Sequence, residues 1–179
     1  MKAVVVSGGH PMSHRRALSH LNDADYVVSA DKGIHYTLGY GFEPDLAVGD
    51  MDSVDSESLQ KIDDSKVIIS PPEKDFTDTH LAVIKALEAG ADEITIICAT
   101  GLRSDHSMAN IRLLLFIDEN GARGMIADDE NNIYICTGET NFIDKTGTTV
   151  SILAISNDVI GITLKGFKYP LENVSADLA

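Results

Sequence analysis

Tryptophan is absent from the 179 residues, and cysteine occurs only twice. Both cysteines, Cys98 and Cys136, stand in apolar strand-like runs, which reads as buried thiols in a reducing cytoplasm rather than a disulfide. Basic side chains are scarce as well: 14 Lys and Arg against 28 Asp and Glu leave a formal net charge of −14. That excludes a general nucleic-acid binder, because contacts along a phosphate backbone need Lys and Arg. A phosphorylated small molecule is not excluded, since an acidic protein can hold one through divalent cations. No apolar run approaches the roughly 20 residues of a membrane span. The apolar part of MKAVVVSGGH is too short for a signal peptide. There is no G-x-G-x-x-G, no P-loop and no G-x-S-x-G, and the histidines and cysteines lack zinc-ligand spacing.

What is present is alternation. Apolar runs at Lys2–Val6, Tyr26–Ala30, 46–48, 66–70 and 93–99 predict strands, and 13–21, 79–89 and 106–119 predict helices. Within 79–89, Leu81, Ile84, Ala86 and Leu87 share a helical face, and Gly90 is placed to end the helix. Such alternation implies a mostly parallel sheet covered by helices on both faces. After Arg123–Ala127 the pattern changes to short β runs at 133–136, 148–155 and 160–165, separated by glycine or polar turns. The reading is an α/β domain over 1–127 and a smaller, all-β, sandwich-like region over 128–179, with the DDENN stretch at 128–132 as the junction. At 44% hydrophobic residues the chain can bury a core in both.

Eleven of the 28 acidic residues fall between Glu43 and Asp78. Asp55, Glu57, Asp63 and Asp64 read as a solvated face. Asp50 and Asp52 differ, because they flank Met51 in G-D-M-D-S directly after an apolar strand. In an extended segment both carboxylates project to one side, at the sheet edge where open α/β folds bind ligands. Their mutual repulsion would be relieved by a divalent cation; the other reading is a turn in which Asp bonds its own backbone. In Lys74-Asp75-Phe76-Thr77-Asp78, Thr77 or Asp78 can be an N-cap. Asp75 and Asp78, three apart, could share a helical face, and the helix N-terminus and Lys74 suit phosphate. In Gly101-Leu102-Arg103-Ser104-Asp105-His106, Ser104 or Asp105 can cap, while Arg103 suits bidentate phosphate binding. Gly8-Gly9 could let backbone approach a nucleotide.

Taken in order, S-A-D-K-G at 29–33, P-D-L-A-V-G-D-M-D-S at 44–53, K-D-F-T-D at 74–78, G-L-R-S-D-H at 101–106 and L-K-G-F-K-Y-P-L-E-N at 164–173 resemble the thiamine pyrophosphokinase family across nearly the whole chain. The resemblance implies an α/β nucleotide-binding domain followed by a β-sandwich. It implies Mg²⁺-dependent transfer of the pyrophosphoryl group of ATP to the hydroxyl of thiamine, giving thiamine diphosphate and AMP, in a homodimer. Carried over by motif, Asp50, Asp52 and Asp78 hold Mg²⁺ and Asp75 lines the same site. Lys74 and Arg103 face the ATP phosphates, Asp105 orders the site, and Asp31 and Thr77 contact the nucleotide. Asp78 or Asp105 would assist deprotonation of the thiamine hydroxyl. Two departures stand out. Leu102 replaces a second glycine, and the sequence ends six residues after Asn173, where the family continues with further β strands. A pyrophosphokinase acting on another hydroxymethyl heterocycle, such as a pterin alcohol, and a weakly catalytic nucleotide- or thiamine-binding protein are the alternatives.

Overall fold

The computed structural model describes residues 1–71, 75–101, 103–143, 145–155 and 159–176. They form two compact units, Met1–Gly138 and Glu139–Ala179. The first contains β1 (Lys2–Val6), α1 (His14–Leu21), β2 (Tyr26–Ala30), α2 (Gly33–Gly39), β3 (Leu46–Gly49), α3 (Ser56–Leu59), β4 (Val67–Ile69), α4 (Asp78–Glu88), β5 (Glu93–Ile97), α5 (Ser104–Glu119), β6 (Arg123–Ala127) and β7 (Asn132–Tyr134). The second contains β8 (Val159–Leu164) and β9 (Leu171–Ala176). Among the described residues no helix is long and apolar enough to cross a membrane.

The seven strands of the first unit lie in the order β4-β3-β2-β1-β5-β6-β7. All are parallel except β7, which pairs antiparallel with β6. Four of the five residues of β1 are buried, because a parallel sheet is covered on both faces and its strands read as continuous apolar runs. Ala3 and Val5 pack with Ala82, Val83 and Ala86 of α4 and with Leu113, Leu114 and Ile117 of α5. Val4 and Val6 pack on the other face with Ala17 and Leu21 of α1. The chain first winds outward through β2, β3 and β4. It then returns across the sheet by α4, so that β5 lands on the other side of β1. The exits of β1 and β5 therefore diverge at a topological switch point.

Two glycines are required there by close approach. The Gly9 N–H donates to Cys98 O at 2.7 Å and the His10 N–H to Thr100 O at 2.8 Å. A Cβ at Gly9 would sit 2.6 Å from both carbonyl oxygens. The Gly8-Gly9 pair thus includes a residue whose smallness serves the closure of two loops. At Gly33 a Cβ would lie 2.0 Å from Val6 O, so α2 seats its first turn directly on the end of β1.

Several expectations change. Helix α2 was not foreseen: seven residues are too few to display periodicity, and Gly and Thr are weak helix formers, so tertiary seating decides. The DDENN stretch is the β6–β7 turn, in which Asp128 Oδ1 accepts the Glu130 and Asn131 N–H groups at 2.9 and 2.7 Å. Because β7 extends the first sheet, the division of the chain falls after Gly138 and not at 127. Residues 148–155 form no strand, although their apolar pattern predicts one; a strand needs a partner, and the ladder present in this unit joins β8 to β9. Cys98 is buried as expected, but Cys136 is exposed, since it follows the edge strand β7.

Replacing Gly33 by Ala is expected to destabilise the protein by about 3 kcal/mol, because overpacking against backbone cannot relax locally. Gly39→Ala, whose Cβ would meet nothing within 4 Å, should be neutral or stabilising by up to about 1 kcal/mol. Chemical denaturation of both variants checks the contrast, and equal midpoints would contradict it.

Candidate active site

The carboxyl ends of β2, β3 and β4 share one edge of the sheet, and the register Ala30↔Val48 brings the exits of β2 and β3 side by side. Asp31 leaves β2 with φ 46° while its N–H donates to Val48 O at 2.8 Å. Asp50 follows β3, and Met51 has φ 63°. The G-D-M-D-S segment is therefore not extended, as the two-residue spacing predicted. It turns sharply at Met51, and the Asp52 N–H donates to Asp50 Oδ1 at 3.2 Å. The turn reading holds, and the turn still leaves the two carboxylates near one another.

One carboxylate oxygen from each of Asp31, Asp50 and Asp52 lies within 4.8 Å of the others. Asp31 was read from the sequence as a nucleotide contact; the fold sets it against Asp50 and Asp52. Its Oδ2 accepts from Ser53 Oγ at 2.6 Å, and its Oδ1 is buried with no hydrogen-bond partner. Among the described residues no ion pair neutralises these three acids. The charge of Asp50 raises the Asp52 carboxyl above the ordinary carboxylate range, with desolvation and the charges of Asp31 and Asp78 adding to it. Three carboxylates that repel one another, one of them with a buried oxygen lacking a hydrogen-bond donor, fit a divalent cation.

Asp78 opens α4 and is half-buried, with Ser70 Oγ donating to its Oδ1 at 3.5 Å. It stands outside the three-carboxylate group, yet its charge reaches Asp52. Thr77 is the N-cap, its Oγ1 accepting the His80 N–H at 3.2 Å. Because the cap sits at Thr77, Asp75 precedes the helix in an exposed bend and does not share a helical face with Asp78. The first turn of α4 is tied to the end of β1 by a buried hydrogen bond between Ser7 Oγ and Thr79 Oγ1 at 2.6 Å.

At α5 the N-cap position is Arg103, not Ser104 or Asp105, and its side chain does not cap. Its guanidinium instead grips Asp105, with Nε to Oδ1 at 3.1 Å and Nη2 to Oδ2 at 2.6 Å. That pairing pulls the Asp105 carboxyl down to about 2. Both side chains are exposed. Lys74 and Leu102 lie outside the described residues.

Sequence reasoning missed Ser53 and His35. His35, on α2, brings Nε2 to 3.1 Å from Ser53 O and Nδ1 to 3.1 Å from Ser58 Oγ. Asp55 Oδ2 is 3.3 Å from Nδ1. Asp55, read as part of a solvated face, is the N-cap of α3, and its bond from the Ser58 N–H lowers its carboxyl. Asp63 likewise caps the 3₁₀ turn Asp64–Lys66. No local pattern links His35 to Ser53, because only the packing of α2 beside the β3 exit joins them.

The family model described as thiamin pyrophosphokinase, catalytic domain, matches residues 17–126. The model described as thiamin pyrophosphokinase, vitamin B1 binding domain, matches residues 137–177. Thiamine pyrophosphokinase of Bacillus subtilis is 33% identical over 178 residues, covering 97% of this chain and 83% of that protein. A crystal structure of thiamine pyrophosphokinase from Bacillus subtilis superposes with a TM-score of 0.85 at 30% identity, over 99% of this chain and 85% of that one. The Geobacillus thermodenitrificans structure gives 0.73 at 30% identity, over 99% and 83%.

The Asp52 carboxyl yields a stability prediction. Its folded value lies above its unfolded one, so the folded form binds the proton more tightly. Stability from this group is then present below the unfolded value near pH 4 and is lost as pH rises through the folded value. Asp52→Asn should therefore raise the melting temperature at pH 7 in chelator and leave it nearly unchanged at pH 3. Added Mg²⁺ should stabilise the wild type more than the variant. Thermal melts in the four conditions check this, and a lower neutral-pH melting temperature for the variant would count against it.

Proposed function

The chain belongs to the thiamin pyrophosphokinase family, and we propose that it transfers the pyrophosphoryl group of ATP to the hydroxyl of thiamine, giving thiamine diphosphate and AMP. The observation that carries this reading is the convergence of Asp31, Asp50 and Asp52 on one sheet edge, in a chain matched along nearly its whole length by the family. The match of residues 137–177 to a vitamin B1 binding domain favours thiamine over a pterin alcohol as acceptor.

In the proposed reaction the thiamine oxygen attacks the β-phosphorus of ATP, the bond to the α–β bridging oxygen breaks, and AMP leaves with that oxygen. When bound, Mg²⁺ would supply positive charge that offsets the carboxylates and the phosphates of the nucleotide. Asp50 and Asp52 would hold the cation together with Asp31, and Asp78, whose charge reaches Asp52 from outside this group, is assigned to the same site. Asp75 and Thr77 border the site at the start of α4, and Lys74 belongs to the same motif. Arg103 takes up phosphate charge, with Asp105 orienting the guanidinium until the nucleotide arrives. A carboxyl held at about 2 is a weak base, so Asp105 is a poor acceptor for the thiamine proton. Transfer of this kind depends on positioning and charge neutralisation more than on proton removal. The working form we propose is a cytoplasmic homodimer.

An assay with ATP, Mg²⁺ and thiamine should yield AMP and thiamine diphosphate together, and only when all three are present. ADP as the nucleotide product would contradict pyrophosphoryl transfer. Asp50→Asn should lower kcat by at least about 100-fold, beyond what loss of an outer-sphere group typically costs. Activity near wild type would remove Asp50 from the cation site.

A further inference from the structure

The acidic turn is held in a shape that its own sequence disfavours. Asp31 and Met51 both adopt left-handed backbone conformations, with φ 46° and 63°. Non-glycine residues keep such conformations only where the surroundings over-determine them. The contacts that do so can be traced outward. Asp31 is fixed by the Ser53 hydroxyl. The backbone of Ser53 is in turn fixed by His35, whose Nε2 lies 3.1 Å from its carbonyl oxygen. A carbonyl only accepts, so Nε2 carries the hydrogen in this contact. The other ring nitrogen faces Ser58 Oγ and Asp55 Oδ2 on α3, which sets the plane of the ring. Helix α2, which carries His35, is seated on β1 through Gly33, so the clamp is anchored to the centre of the sheet.

We propose that His35 is a positioning residue for the cation site. It pins the Ser53 carbonyl, Ser53 pins Asp31 Oδ2, and the Asp31 carboxylate is thereby held against Asp50 and Asp52. The inference rests on the cation-binding reading of those three acids. His35 touches no substrate in this account and acts only through Ser53. Its ring lies at the half-buried margin of α2 and is not part of the three apolar clusters, so its removal leaves the core packing intact.

The test is Mn²⁺ binding to the protein without nucleotide or thiamine, measured by calorimetry. Wild type, His35→Ala, His35→Gln, Ser53→Ala and the His35→Ala/Ser53→Ala double variant are compared. His35→Ala should weaken Mn²⁺ binding about tenfold, the range typical of groups that orient metal ligands. Its melting temperature in chelator should stay within about 2 °C of wild type, as expected away from the core. His35→Gln, which keeps an N–H donor at similar reach, should recover most of the affinity. Ser53→Ala should match His35→Ala, and the double variant should be no weaker than either, because both act on one path. Additive losses, or unchanged affinity in His35→Ala, would overturn the proposal. Should His35→Ala unfold, the Ser53→Ala and His35→Gln measurements decide alone: unchanged affinity in Ser53→Ala, or a tenfold loss in His35→Gln, overturns it. Asp50→Asn in the same titration separates the two levels. If it binds Mn²⁺ as wild type does, the cation-site reading fails, whatever His35 does.

Discussion

Mutual repulsion among carboxylates is the constraint around which the first unit is organised. Asp31, Asp50 and Asp52 bring oxygens within 4.8 Å of one another at the end of the sheet, and without a cation that arrangement works against folding. The sheet can impose it because β2 and β3 are buried parallel strands with a fixed register. A one-residue slip would exchange the side chains packed against the two helical layers, so the core holds the acids in place. The turn at Met51, the Ser53 hydroxyl and the grip of His35 then complete what register begins. Fold stability is being spent on a site, as is usual where charge must be presented to a ligand.

The same logic accounts for the other side of the edge. The winding order makes the exits of β1 and β5 diverge, and Gly9 lets the two loops close on each other's backbone. Asp78 is delivered by α4, whose first turn is locked to β1 through Ser7 and Thr79. Arg103 and Asp105 form a ready pair at the start of α5. Asp78 and the Arg103–Asp105 pair thus arrive on two different helices, each starting next to a strand exit. In the second unit, β8 and β9 pair over Val159–Leu164 and Leu171–Ala176, and the L-K-G-F-K-Y-P-L-E-N motif forms the connection between them with the start of β9.

Legibility followed burial. Strands β1 and β2 were read at their true limits, because continuous apolar runs bounded by turn residues are what a parallel sheet requires. Asp50 and Asp52 were legible as a pair because they adjoin a strand end. Their association with Asp31 was not, since it depends on the register of β2 against β3, which lies outside any local window. The same holds for His35, whose link to Ser53 is a product of helix seating. Asp75 and Asp78 were read onto one helical face because the capping role of Thr77 was left open against Asp78, and one residue of cap position decides which acids are helical. At 148–155 the β pattern was clear but named no partner strand, and pattern without pairing is not structure.

The central claim is that the three-carboxylate cluster is a cation site. The most direct measurement is a crystal structure of the protein soaked with Mn²⁺, with anomalous diffraction used to locate the ion. The account predicts an anomalous peak bonded to Asp50 and Asp52, with the Asp31 carboxylate turned toward it. A peak at another acidic cluster, with Asp31, Asp50 and Asp52 unoccupied, would contradict it.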